Sequence, residues 1–143
     1  MKKTLLLVAV LLIFSIGTAF ADDVWLDVKC PASVNANATL SVAIDLYAQN
    51  LSCTGSVNVS RVMVGMGGNS GGTLGGVGLW GPYLRSPGWS VPVCSQTPLT
   101  KFLKIIDSVP ASLADTMAMV VVSAIDGQGK EYAGGSCVVK VNP

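Results

Sequence analysis

Alternation with a period of two residues runs through most of the chain after residue 21, and it limits the fold more than any other feature. Leu40, Val42, Ile44 and Leu46 alternate with Ser41, Ala43, Asp45 and Tyr47. Successive side chains of a strand point to opposite faces, so this run predicts a strand with one apolar and one mixed face. An earlier strand follows the same rule. Val24, Leu26, Val28 and Cys30 share one parity, Trp25, Asp27 and Lys29 share the other, and Pro31 ends it. No helical stripe competes with these patterns.

A third strand starts with Val57 and Val59, slips phase at Ser60-Arg61 and resumes as Val62, Val64 and Met66. A one-residue slip inside a strand is the mark of a bulge. Gly65 to Gly81 then holds nine glycines, which lowers strand and helix propensity together and predicts a long loop or a loosely held hairpin. Pro82 to Pro98, with four prolines, is expected to be irregular. Regular structure should return over Lys101 to Val109, where Leu103 and Ile105, with Phe102 and Ile106, read as a strand. Pro110 to Asp115 suits a single helical turn. Met117 to Ile125 is a near-continuous apolar run, as expected of a central, well-covered strand. Asp126-Gly127-Gln128-Gly129 supplies hairpin chemistry, and the last strand sets Cys137, Val139 and Val141 against Val138 and Lys140.

The compartment is readable from residues 1–21. Lys2 and Lys3 precede an apolar run from Thr4 to Ile16, and Ala19 and Ala21 form the Ala-x-Ala pattern of a signal-peptidase site. The expectation is an export signal over 1–21 and one domain over 22–143, periplasmic or secreted, with no membrane span in the mature chain. Removing Lys2 and Lys3 from nine basic residues leaves seven against eight acidic ones, a near-neutral balance that argues against nucleic acid as a partner. Cys30, Cys53, Cys94 and Cys137 all fall in the exported part. An even count with long spacings reads as two disulfides, for which three connectivities exist, rather than as a zinc or redox site.

About seven short strands separated by turn signals predict an all-β antiparallel sandwich with a Gly-rich insertion and two disulfides. Cys30-Pro31-Ala32-Ser33-Val34 before an alternating strand, and Val109 to Asp115 followed by Val120-Val121-Val122, Asp126 to Lys130 and Val138 to Val141, resemble the first and last strands of bacterial immunoglobulin-like and fibronectin type III-like domains. The resemblance implies an immunoglobulin-like β-sandwich. The second strand and the Met117–Ile125 strand carry no cysteine, so the inter-sheet bridge of antibody domains is excluded. First and last strands of such a sandwich run side by side, and parity then pairs Cys30 with Cys137. Cys53 and Cys94, both in irregular segments, form the second pair and staple the insertion to the turn after the second strand.

Function is far less legible than fold. The chain has no histidine, which removes the commonest general base and metal ligand. Asp107, Asp115, Asp126 and Glu131 are scattered. Gly67 to Gly72 lacks the Gly-Lys-Ser/Thr of a phosphate loop. Asp126 and Gln128 belong to a turn more readily than to a calcium site, and the three glycosylation-type triplets at Asn37, Asn50 and Asn58 read as polar strand edges and turns. The reading is a non-enzymatic module without cofactor or metal. Trp80, Tyr83, Arg85 and Trp89 are the candidate binding residues, since loop aromatics with an arginine suit a protein or glycan partner. The opposing reading has those rings plugging the sandwich. Charged residues are only 12% of the chain, which keeps a second role open, that of a self-assembling subunit of a surface filament or envelope complex.

Overall fold

The computed structural model describes residues 22–70, 73–74 and 80–143. The export signal over 1–21 and parts of the Gly-rich segment lie outside the described residues. The strands are β1 (Asp23–Lys29), β2 (Ser33–Asn35), β3 (Leu40–Gln49), β4 (Ser56–Ser70), β5 (Thr73–Leu74), β6 (Trp80–Arg85), β7 (Trp89–Pro92), β8 (Leu99–Ile106), β9 (Met117–Asp126) and β10 (Glu131–Asn142). One 3-10 turn, Ala111–Leu113, precedes β9. No helix among the described residues is long and apolar enough to cross a membrane.

Two sheets result. The smaller has the order β1-β3-β8; the larger runs β2-β10-β9-β4, with β5, β6 and β7 also pairing with β4. The opening segment serves both sheets: β1 lies antiparallel to β3, and after Pro31 the chain crosses over so that β2 lies parallel to β10. An antiparallel sandwich whose first strand is divided between the sheets in this way is immunoglobulin-like in topology.

The core lies between the sheets and follows the parity of the sequence. Val24, Leu26 and Val28 of β1 and Leu40, Val42, Ile44 and Leu46 of β3 face Val57, Val59, Val62 and Val64 of β4 and Val120 and Val122 of β9, all buried. The slip at Ser60 is a bulge: Val59 stands opposite Asp126 and Arg61 opposite Ile125. The hydroxyl of Ser60 donates to the carbonyl of Asp126 at 2.8 Å, so the bulge is fastened to the end of β9.

Two disulfides join the sheets and loops. Cys30 and Cys137 bridge the crossover after β1 to β10 with their Cα atoms 5.6 Å apart. Cys53 and Cys94 bridge the β3–β4 turn to the segment after β7 with a Cα separation of 5.3 Å. Beside the first bridge, β10 passes so close to β1 that a Cβ on Gly135 would stand 2.9 Å from the carbonyl oxygen of Leu26. Only glycine closes this edge of the sandwich.

The structure corrects the sequence reading between Pro82 and Pro98. That stretch is not irregular throughout, because β6 and β7 lie in tandem along the outer side of β4. An edge strand tolerates proline because its outer N–H has no ladder partner to lose. Gly81, at φ +90°, supplies a backbone bend that an L side chain resists. These two strands and β2 raise the strand count above the seven expected. Phe102 is 80% exposed on the outer face of β8.

Candidate functional site

The outer face of the smaller sheet carries the most distinctive side-chain arrangement. Register places Trp25 of β1 directly opposite Tyr47 of β3. Their rings stack with centroids 5.4 Å apart and planes within 6°. Cross-strand aromatic pairs of this kind stabilise a sheet by roughly 0.5–1 kcal/mol. Trp25 nevertheless remains 43% exposed, so the pair is also an aromatic wall available to a ligand.

On one side of this wall, the next cross-strand row sets Asp27 opposite Asp45. Two facing carboxylates would suit acid–base chemistry if one were kept protonated. The reverse holds here. Lys29 Nζ donates to Asp45 Oδ2 at 2.5 Å and Thr100 Oγ1 donates to Asp45 Oδ1 at 2.6 Å. These two hydrogen bonds, that of Lys29 first, hold the Asp45 carboxyl below the ordinary carboxylate range despite its burial. Lys29 also lies 3.9 Å from Asp27. Lys29 and Thr100 thus occupy the Asp45 carboxylate, and the row is a structural network rather than a proton-transfer pair.

On the other side the wall borders a cleft of about 350 Å³, lined by Trp25, Tyr47, Ala48, Gln49, Cys53, Cys94, Ser95 and Gln96. The Cys53–Cys94 bridge forms one side of it. Both half-cystines hold left-handed backbone, with φ 49° and 53°. Such a conformation costs a non-glycine residue about 1–2 kcal/mol and persists where its surroundings enforce it. Here the enforcing contacts are the bridge itself, a bond from Cys94 N to Ala48 O at 2.8 Å and one from Cys53 N to Asn50 O at 3.3 Å. The amide of Asn50 adds bonds to Thr54 O and Asp22 Oδ1. The cleft thus has a fixed frame, two aromatic rings, the uncharged polar side chains Gln49, Ser95 and Gln96, and no charged side chain in its lining.

Of the four binding residues expected from sequence, the side chains of Tyr83, Arg85 and Trp89 are among the described residues. Tyr83 and Arg85 do meet, the guanidinium carbon lying 5.5 Å from the ring centroid, and Tyr83 is 43% exposed. Arg85 also reaches the carbonyl of Ile105 on β8. Trp89 stands opposite Val59 on β7 and packs partly buried against the core. The side chain of Trp80 lies outside the described residues. Asp126 is occupied by its own hairpin, accepting from the N–H groups of Gln128 and Lys130 at 2.9 Å each and from the Tyr132 hydroxyl at 3.1 Å. Burial alone would raise its carboxyl, but these donors outweigh that and hold it below the ordinary range.

Trp25 and Tyr47 were not singled out from the sequence. Each sits at an outward parity beside an apolar residue, a position where lysine or serine is the commoner choice for a solvated face. Their pairing depends on the β1–β3 register, which the alternation alone leaves free.

No family model matches the chain, and no curated protein matches it. Among solved structures it is similar to the CARDB domain of a Pyrococcus furiosus protein. The crystal structure of that domain, determined in complex with di-metal ions, shares 15% identity, with 87% of this chain and 96% of that one covered and a TM-score of 0.44. Its solution NMR structure shares 14% identity, with 85% and 95% covered and a TM-score of 0.45. No residue role is carried over from either.

Proposed function

We propose that this protein is a non-catalytic binding module that works outside the cytoplasm and takes a neutral glycan in the cleft beside Trp25 and Tyr47. One observation carries the reading: an exposed aromatic wall borders a disulfide-framed cleft whose remaining polar lining is uncharged. The C–H faces of a sugar ring pack on an aromatic plane, and its hydroxyls take the amide and hydroxyl groups of Gln49, Ser95 and Gln96 as partners. A phosphorylated or strongly acidic ligand would find no cation there. The two disulfides suit an oxidising compartment. The engagement of Asp45 by Lys29 and Thr100 and the absence of histidine support a role in binding rather than turnover.

The test is a glycan array probed with residues 22–143 and with the variants Trp25→Ala and Gln96→Ala. The expected result is retention of one class of neutral glycans by the parent chain and loss of roughly tenfold or more in affinity in Trp25→Ala, a change of about 1.4 kcal/mol. Binding that survives both substitutions at full strength would place the site elsewhere, and selective retention of an anionic glycan would refute the ligand class.

A further inference from the structure

The outer face of the larger sheet contradicts what its own central strand asks for. Met117–Ile125 is apolar at nearly every position, the pattern of a strand covered on both faces. The core covers only one face. Ala118, Val120, Val122 and Ala124 are buried, whereas Met119, Val121 and Ile125 lie half-buried on the other side. Around them stand Met63 and Leu84, with Leu84 56% exposed, and Met117 and Val138, which are 49% and 39% exposed. The middle of this face carries no charge.

Register orders the face into rows across β4, β9 and β10. One row reads Arg61, Ile125, Glu131; another Gly65, Val121, Ser136; another Gly67, Met119, Val138. The first row bears opposite charges on its two outer strands, and the other two bear glycine on β4 where β10 carries a side chain. We infer that this face pairs with the same face of a second copy about a two-fold axis running along β9. Such an axis exchanges β4 and β10 across the interface. Glu131 then meets Arg61 of the second copy, twice over, and Val121 meets its own counterpart on the axis. An interface of this kind must be complementary to itself, and the charged row is. Neither Arg61 nor Glu131 has an ion-pair partner among the described residues of its own chain.

The size is sufficient for a reversible dimer. Four strands about 4.8 Å apart and nine residues at about 3.4 Å give a footprint on the order of 500 Å² per copy, at the lower end of specific interfaces. The Trp25–Tyr47 cleft opens on the other sheet, so pairing leaves both clefts free and makes the module bivalent. The inference stands independently of what the cleft holds.

Sedimentation equilibrium of residues 22–143, from about 1 μM to about 500 μM, tests it, a range that spans weak, reversible dimers. Val121→Arg is expected to be monomeric over that range while keeping the near-ultraviolet circular dichroism of the fold. Arg61→Glu and Glu131→Arg should each weaken the dimer about tenfold or more, because each sets like charges face to face. The chain carrying both exchanges should recover to within about threefold of the parent. A parent that stays monomeric, as it would if a different partner or the Gly-rich segment covered this face, overturns the inference. So does a dimer indifferent to Val121→Arg, or a double exchange that fails to recover.

Discussion

Alanine at Gly134 or Gly135 is a graded probe of how tightly the sandwich closes. At Gly134 a Cβ would lie 2.0 Å from the carbonyl oxygen of Val122, a backbone atom that cannot turn aside. The β9–β10 ladder is already irregular between Tyr132 and Gly135, and it would have to part there. Overpacking costs about 1–3 kcal/mol where side chains can yield and more where backbone must move, so the expected loss at Gly134 is about 3 kcal/mol or more. At Gly135 the nearest atoms are Val28 Cγ2 at 2.8 Å and the backbone Leu26 O at 2.9 Å, so β1 and β10 must part slightly, by less than at Gly134. A loss of about 2–3 kcal/mol follows. Gly127 meets only Asn58 Nδ2, at 3.7 Å, and its alanine variant should lie within about 0.5 kcal/mol of the parent. Urea denaturation with the disulfides intact measures all three, and at roughly 4 °C per kcal/mol the melting temperatures should separate in the same order. Equal losses at Gly134 and Gly127 would refute the close approach of β9 and β10.

Burial, and then the hydrogen bond to Asp126, push the Tyr132 hydroxyl up from 10.0 to about 12. A raised pKa means that the folded state holds the proton more tightly, so this contribution is fully present below about pH 10 and lost as pH rises towards 12. Tyr132→Phe should flatten the loss of stability between those values in an alkaline denaturation series, and an unchanged slope would reject the assignment. Replacing Cys53 and Cys94 together with Ala releases a 41-residue separation and is expected to cost about 4 kcal/mol in the chain-entropy model, measured by urea denaturation. Trp89→Ala should cost about 2–3 kcal/mol as a partly buried ring, whereas Tyr83→Ala and Arg85→Ala should each cost less than about 1 kcal/mol. The reverse order would favour a binding role for Trp89.

The alternation of β1, β3 and β10 made the core legible, because parity alone assigns Val24, Ile44 and Val139 to the inside. The Ser60 bulge was legible for the same reason, as a break in parity. What parity does not contain is register, and the cleft depends on it: Trp25 meets Tyr47 only because β1 and β3 pair as they do. The segment from Pro82 to Pro98 misled for a different reason. Its prolines and glycines argue against a central strand, but β6 and β7 lie along the outer side of β4, where that penalty is small. The apolar run of β9 was read as a central, well-covered strand. Its outer residues Met119, Val121 and Ile125 are only half-buried, and what the run demands there is the basis for pairing two copies.

The proposed cleft is tested most directly through the indole N–H resonances, since Trp25, Trp80 and Trp89 give three separate reporters. Nitrogen-15-labelled residues 22–143 would be titrated with neutral hexasaccharides of glucose, mannose and N-acetylglucosamine, and with the glycan class retained on the array. The expected result is a saturable shift of the Trp25 indole and of the Gln49 and Gln96 side-chain amides, with the Trp89 indole unmoved. Saturable shifts confined to Trp80 or Trp89, or no shift at Trp25 with any neutral glycan, would contradict a glycan site at the Trp25–Tyr47 wall.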